Sequence, residues 1–137
     1  MVKQVTVFIA NKEGRIEKVT EVLRENHINI SSLSLAESVD FGLLRLIVSD
    51  PEAAITCLKA AGLSAKVSNV IAVRISNNPG SLHELLTALT EFNIEYMYVL
   101  SAQDTASMVM KIRDIEGAEK VLSDKGFTIL QPEEVYL

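Results

Sequence analysis

The sequence predicts an α+β chain that uses one β-α-β-β-α-β unit twice, and three observations carry that prediction. At an offset of 66, residues 4–36 lie on 70–102 with eight identities: Val7/Val73, Ile9/Ile75, Asn11/Asn77, Gly14/Gly80, Leu23/Leu89, Glu25/Glu91, Ile28/Ile94 and Ala36/Ala102. At an offset of 64, residues 41–73 lie on 105–137, matching at Asp50/Asp114, Glu52/Glu116, Ala54/Ala118, Leu58/Leu122 and Gly62/Gly126. On this alignment the second copy is two residues shorter in one loop, between Ala36 and Phe41. Each copy also switches, in the same order, between the two-residue apolar period of strands and the three-to-four-residue period of helices. The order is the ferredoxin-like one, in which each unit is a four-stranded antiparallel sheet with two helices on one face. The units are expected at residues 1–68 and 69–137.

The elements follow in order. Val5, Val7 and Ile9 alternate with Thr6, Phe8 and Ala10, as in a half-buried strand. Ile16, Val19 and Leu23 then recur at helical spacing, and the copy shows the same stripe as Leu82, Leu85, Leu86, Leu89 and Phe92. Ile28 to Leu35 reads as the second strand, with a hairpin around Ser38-Val39-Asp40. A third strand sets Leu44, Leu46 and Val48 on one face, matched by Met108, Met110 and Ile112. Asp50-Pro51 opens the second helix, with an acidic cap and proline at the first helical position. Its stripe is Ala54, Cys57, Leu58 and Ala61, and Gly62 ends it. The last strand covers Ser64 to Val67, and Ser68-Asn69 leads almost directly into the next, Val70 to Ile75. With so little linker, the two units are expected to pack as one body.

Composition excludes several functions. A net charge of −5 with scattered basic residues argues against nucleic acid, whose binding draws on counterion release by clustered cations. No apolar run reaches the ~18–20 residues that a membrane span needs. The N-terminal M-V-K-Q-V-T-V-F-I has no signal-peptide core, and the lone Cys57 makes no internal disulfide, so a cytoplasmic location is the default. The third strands, L-L-R-L-I-V and M-V-M-K-I, lack the aromatics of an RNA-recognition motif. There is no C-x-x-C metal loop and no glycine-rich phosphate cradle. Nothing pairs a nucleophile with a base, so no catalytic residue, metal ligand or cofactor is expected. His27 and His83 are expected at the surface.

The first loops remain. N-K-E-G-R-I…I-N-I and N-N-P-G-S-L…I-E-Y resemble the signature of ACT domains, small amino-acid-sensing modules of metabolic enzymes. The resemblance covers the whole chain as two copies, similar to a free-standing tandem ACT-domain protein. It implies that the N–H groups around Gly14, Arg15 and Ile16, and around Gly80, Ser81 and Leu82, face a ligand. The physical logic is that a helix N-terminus presents unpaired N–H groups and partial positive charge, and a glycine lets a ligand reach bare backbone. The resemblance further implies ligand contacts from Asn11 and Asn77 in the loops and from Asn29 at the second strand. On the offset of 66, Glu95 stands in the place of Asn29, and Pro79 in the place of Glu13, which makes the copies unequal.

Each of these residues has a structural alternative. The glycines fit a tight strand-to-helix turn, and Asn11 and Asn77 fit turn-capping side chains. The functional expectation is a regulatory protein that senses a free amino acid at an interface between modules and relays it to a partner, with a metabolic enzyme as the candidate. The alternative is a ligand-free ACT subunit that dimerises and docks on an enzyme. Open strand edges favour a homodimer over a monomer.

Overall fold

Alternating Val5, Val7 and Ile9 build strand β1 (Val2–Ala10), and the stripe of Val19, Val22 and Leu23 buries one side of helix α1 (Arg15–Glu25). Strands β2 (Ile30–Glu37) and β3 (Phe41–Val48), helix α2 (Pro51–Ala60) and strand β4 (Ser64–Ile75) follow. The second copy adds α3 (Ser81–Ala88), β5 (Ile94–Ala102), β6 (Thr105–Ile112), α4 (Ile115–Asp124) and a single turn, α5 (Pro132–Val135). This computed structural model describes residues 1–10, 12–37, 40–102 and 105–136. It divides into two units, one of Lys3–Ser68 with Tyr136, the other of Asn69–Val135 with Met1–Val2.

In the first unit, β3 lies between β2 and β1 and is antiparallel to both, with Val5 opposite Leu46 and Leu33 opposite Leu46 on the other side. Val5, Val7, Ile9, Leu44, Leu46 and Val48 close over Val19 and Leu23 of α1 and over Ala54 and Leu58 of α2. In the second unit, β6 lies between β4 and β5, and Ile71, Val73, Met108 and Met110 meet Leu85, Leu89, Ala118 and Leu122. Both units are α+β with the helices on one sheet face, as expected. A fully buried Leu or Ile of this kind contributes about 1.5–3 kcal/mol.

The alternation fails on the other sheet face. Thr6 is 4% exposed and Gln4 and Ile47 are fully buried, as are Ala72, Ser107 and Val109 in the second unit. Within the first unit the Gln4 side-chain amide donates to the Thr6 hydroxyl at 2.9 Å, which pairs two of these buried polar groups. Two stripe residues go the other way, for Leu82 is 42% exposed and Ala61 also faces solvent.

Helix ends repeat with fidelity. The Asp50 carboxylate accepts from Ala53 N–H at 3.1 Å, and the Asp114 carboxylate from Gly117 N–H at 3.0 Å. Pro51 sits at the first helical position, as expected. Gly62 and Gly126, both at φ +84°, end α2 and α4 in left-handed backbone. α1 ends the same way with His27 at φ +56°, where only a side-chain-bearing residue is available.

Two strand expectations change. Ser64–Val67 and Val70–Ile75 form one continuous strand, because Ser68-Asn69 contains neither proline nor glycine to break it. The final strand of the second copy shrinks to a bridge between Val73 and Ile129, flanked by Arg74 N–H to Thr128 O at 2.9 Å and Leu130 N–H to Ala72 O at 2.8 Å. Pro132 then opens α5, and proline has no N–H with which to extend a ladder.

Strand register also moves the two-residue step in the repeat. Val5 opposite Leu46 and Ile71 opposite Met110 keep β1 and β4 at an offset of 66. Leu33 opposite Leu46 and Met97 opposite Met110 put β2 and β5 at an offset of 64, and bulges at Ile30/Ser32 and Ile94/Tyr96 agree. The step therefore lies before β2, not in the hairpin. Ile28 N–H reaches Leu23 O across residues 24–27, whereas Phe92 N–H reaches Leu89 O across residues 90–91 alone. The counterpart of Asn29 is thus Asn93. Glu95 corresponds to Ser31 at the bulge, which corrects its pairing with Asn29.

Candidate functional site

The two strand-to-helix turns share one backbone solution. Gly14 (φ +83°, ψ −4°) and Gly80 (φ +88°, ψ −8°) are the N-cap residues of α1 and α3, just outside the helices rather than within their first turns. Left-handed backbone costs an L-residue about 1–2 kcal/mol, so the turn itself demands glycine. Among the described residues, neither helix has a side-chain cap, whereas α2 and α4 are closed by aspartate. No side-chain cap therefore answers the partial positive charge at the starts of α1 and α3, although in α3 the Ser81 N–H is taken by a backbone carbonyl.

The turns differ in what surrounds them. A Cβ built on Gly14 meets the Glu17 carboxylate at 3.8 Å, so the first unit brings its own anion to the helix end. A Cβ on Gly80 meets nothing within 4 Å. The Gly80–Ser81 turn borders a cavity of about 190 Å³ lined by Arg74, Ser76, Ser81 and Glu84 with Phe127 and Thr128. Ser81 N–H donates to Asn78 O at 3.1 Å, and the Ser76 and Ser81 hydroxyls pair at 2.8 Å. In the first unit, Phe8 holds the position of Arg74, and Lys66 sits over its ring at 5.5 Å.

The sequence-derived residues fall into groups. Gly80 and Ser81 gather at the second turn, with Asn77 exposed in the loop before them and Leu82 exposed behind them. Gly14, Arg15 and Ile16 form the first turn, with Arg15 and Ile16 half-buried. Asn11 lies outside the described residues. Asn29 does not join this group. Its N–H donates to the Ser49 hydroxyl at 3.0 Å and its carbonyl accepts from Ser49 N–H, beside the α2 cap. That is the opposite end of the sheet from Gly14, about 20 Å along β3. Glu95 is exposed at the β5 bulge, also at the far end from Gly80. Arg74, Ser76 and Glu84 were not singled out by sequence. Their one signal is Arg74, a charge that interrupts the apolar run V-I-A-V-R-I.

No helix among the described residues is long and apolar enough to cross a membrane. A profile of the ACT domain pair matches residues 1–136. Among solved structures, the chain is similar to protein BT0572 from Bacteroides thetaiotaomicron, at 36% identity and a TM-score of 0.93, covering 98% of this chain and 95% of that one. It shares its fold with the ligand-free regulatory subunit of aspartate kinase from Thermus thermophilus, at 17% identity and a TM-score of 0.68, covering 90% and 92% of the two chains. The corresponding subunit from Thermus flavus gives 17% and 0.63, covering 89% and 90%. A search of curated proteins found no match.

Proposed function

Because the chain belongs to the ACT domain pair family, we propose that it is a cytoplasmic regulatory protein that senses a free amino acid and relays that state to a partner protein, with no catalytic step of its own. The cavity at the Gly80–Ser81 turn carries this reading. An α-carboxylate placed there meets the uncapped end of α3 and the Arg74 guanidinium, and Glu84 answers an α-ammonium. The first turn is the weaker site, since Glu17 already compensates α1. Ligand shifts a regulatory equilibrium only through unequal affinity for its two states, so the partner must read a surface that the ligand changes.

Thermal-shift titration with each common amino acid tests the reading. One or a few should raise Tm saturably, and Arg74→Met should abolish that response while leaving the unliganded Tm nearly unchanged. A flat response to all of them removes the sensing role.

Exposed apolar residues favour a second reading, a homodimeric interaction subunit of a metabolic enzyme. Leu33 and Leu35 on edge strand β2 are 52% and 44% exposed, and Val99 on edge strand β5 is 58% exposed. Such edges invite pairing with another chain. Light scattering should give twice 15.0 kDa, reverting to one chain in Leu35→Lys or Val99→Lys. A monomer at micromolar concentration sinks this reading.

A further inference from the structure

The two-residue step between the copies has a spatial consequence at the far end of α3 from Gly80. α1 runs to Glu25 and closes with the turn through His27, but α3 stops at Ala88 and the chain reaches Phe92 after only Thr90 and Glu91. The space left beside the end of α4 is a cavity of about 370 Å³. That is within the ~300–1,000 Å³ of small-molecule sites. Half-buried Ala88, Phe92 and Val121 form its apolar wall, and exposed Glu91 and Lys125 stand at its rim with Thr87.

We propose that this cavity is a second binding site, for a small zwitterion that carries an ammonium, a carboxylate and an apolar group. Two helices end here, and helix C-termini carry partial negative charge that favours a cation. The Glu91 carboxylate adds to that field and receives the ammonium. Lys125, the C-cap residue of α4, supplies the opposite charge for the carboxylate. The Thr90 hydroxyl is engaged with Thr87 O at 2.7 Å and holds the shortened turn rather than the ligand. Phe92, Val121 and Ala88 take the apolar group out of water. The site belongs to the second copy alone, because Ala61 occupies the place of Lys125 in the first and residues 24–27 add a longer turn there.

Isotope-edited NMR titration of the full chain with L-leucine tests this, with isoamylamine and 4-methylpentanoate as probes lacking one charge each. The background is Arg74→Met, which removes the carboxylate partner at the α3 N-terminus without touching the Gly80 turn, so that failure there is separable from failure here. L-leucine should shift Ala88, Phe92 and Val121 resonances saturably, and each single-charge probe should bind about tenfold more weakly. Lys125→Met should weaken L-leucine about tenfold yet leave isoamylamine unchanged, and Glu91→Gln should do the reverse for the two partial probes. Absence of saturable shifts at these residues overturns the proposal, as does equal affinity for all three probes. Both substituted side chains are exposed, so the variants fold.

Discussion

Ile28 N–H donates to the carbonyl of Leu23 at 2.9 Å, while His27 N–H donates to Arg24 O at 3.0 Å. This pair closes α1 and forces His27 into left-handed backbone at φ +56°. At the equivalent point α2 and α4 use Gly62 and Gly126. His27→Gly removes the strain of a Cβ in that conformation, partly offset by the greater freedom of glycine in the unfolded chain. The variant should be more stable by about 0.5–1 kcal/mol in urea denaturation. An unchanged or lower midpoint refutes it.

The N-cap glycines should respond in the opposite direction. Gly80→Ala meets open space, so its cost is conformational alone, about 1–2 kcal/mol. Gly14→Ala should cost a similar amount, since its nearest neighbour, Glu17, is 3.8 Å away and flexible. Removing a cap by Asp50→Ala or Asp114→Ala should cost about 1 kcal/mol. Chemical denaturation of the four variants checks the order, and a neutral Gly80→Ala would show that the turn does not need glycine.

These residues also mark what the sequence makes legible. The caps Asp50 and Asp114, the stop at Gly62 and the core stripes are local signals, where residue type and backbone conformation are tied within one turn. The position of the two-residue step is not local. Identities such as Ile28/Ile94 favour placing it in the hairpin, whereas hydrogen-bond register puts it after α1. That choice decides whether Asn29 pairs with Glu95 or Asn93. The separation of Asn29 from Gly14 is likewise tertiary, since it depends on which end of the sheet each connection reaches. Burial of Thr6 and Gln4 escapes alternation because periodicity identifies two faces without saying what covers the second.

Cys57 should behave as an unreactive thiol in the native state. Its Sγ–H donates to Ala54 O at 3.3 Å, and burial raises its pKa above the usual value. The thiolate is the reactive form, so native alkylation at neutral pH should be slower than in the unfolded chain. Rates with iodoacetamide, with and without denaturant, test this, and equal rates would contradict it.

Tyr136 couples the C-terminal end to the start of β1 within the first unit. Lys3 N–H donates to its phenol oxygen at 2.6 Å. Burial raises the phenol pKa above 10.0, and the hydrogen bond from Lys3, which favours the phenolate, opposes that only in part. The native state therefore holds the proton more tightly than the unfolded chain does. By linkage, this contribution is complete below pH ~10 and is lost as pH rises through the native pKa. Tyr136→Phe keeps the ring but gives up the bond, at a cost of about 1 kcal/mol near neutral pH. Because the variant has no proton to lose at this position, its deficit relative to wild type should narrow above pH ~10. Urea midpoints at neutral pH and on the alkaline limb measure both effects, and a deficit that widens there would reverse the sign assigned to Tyr136.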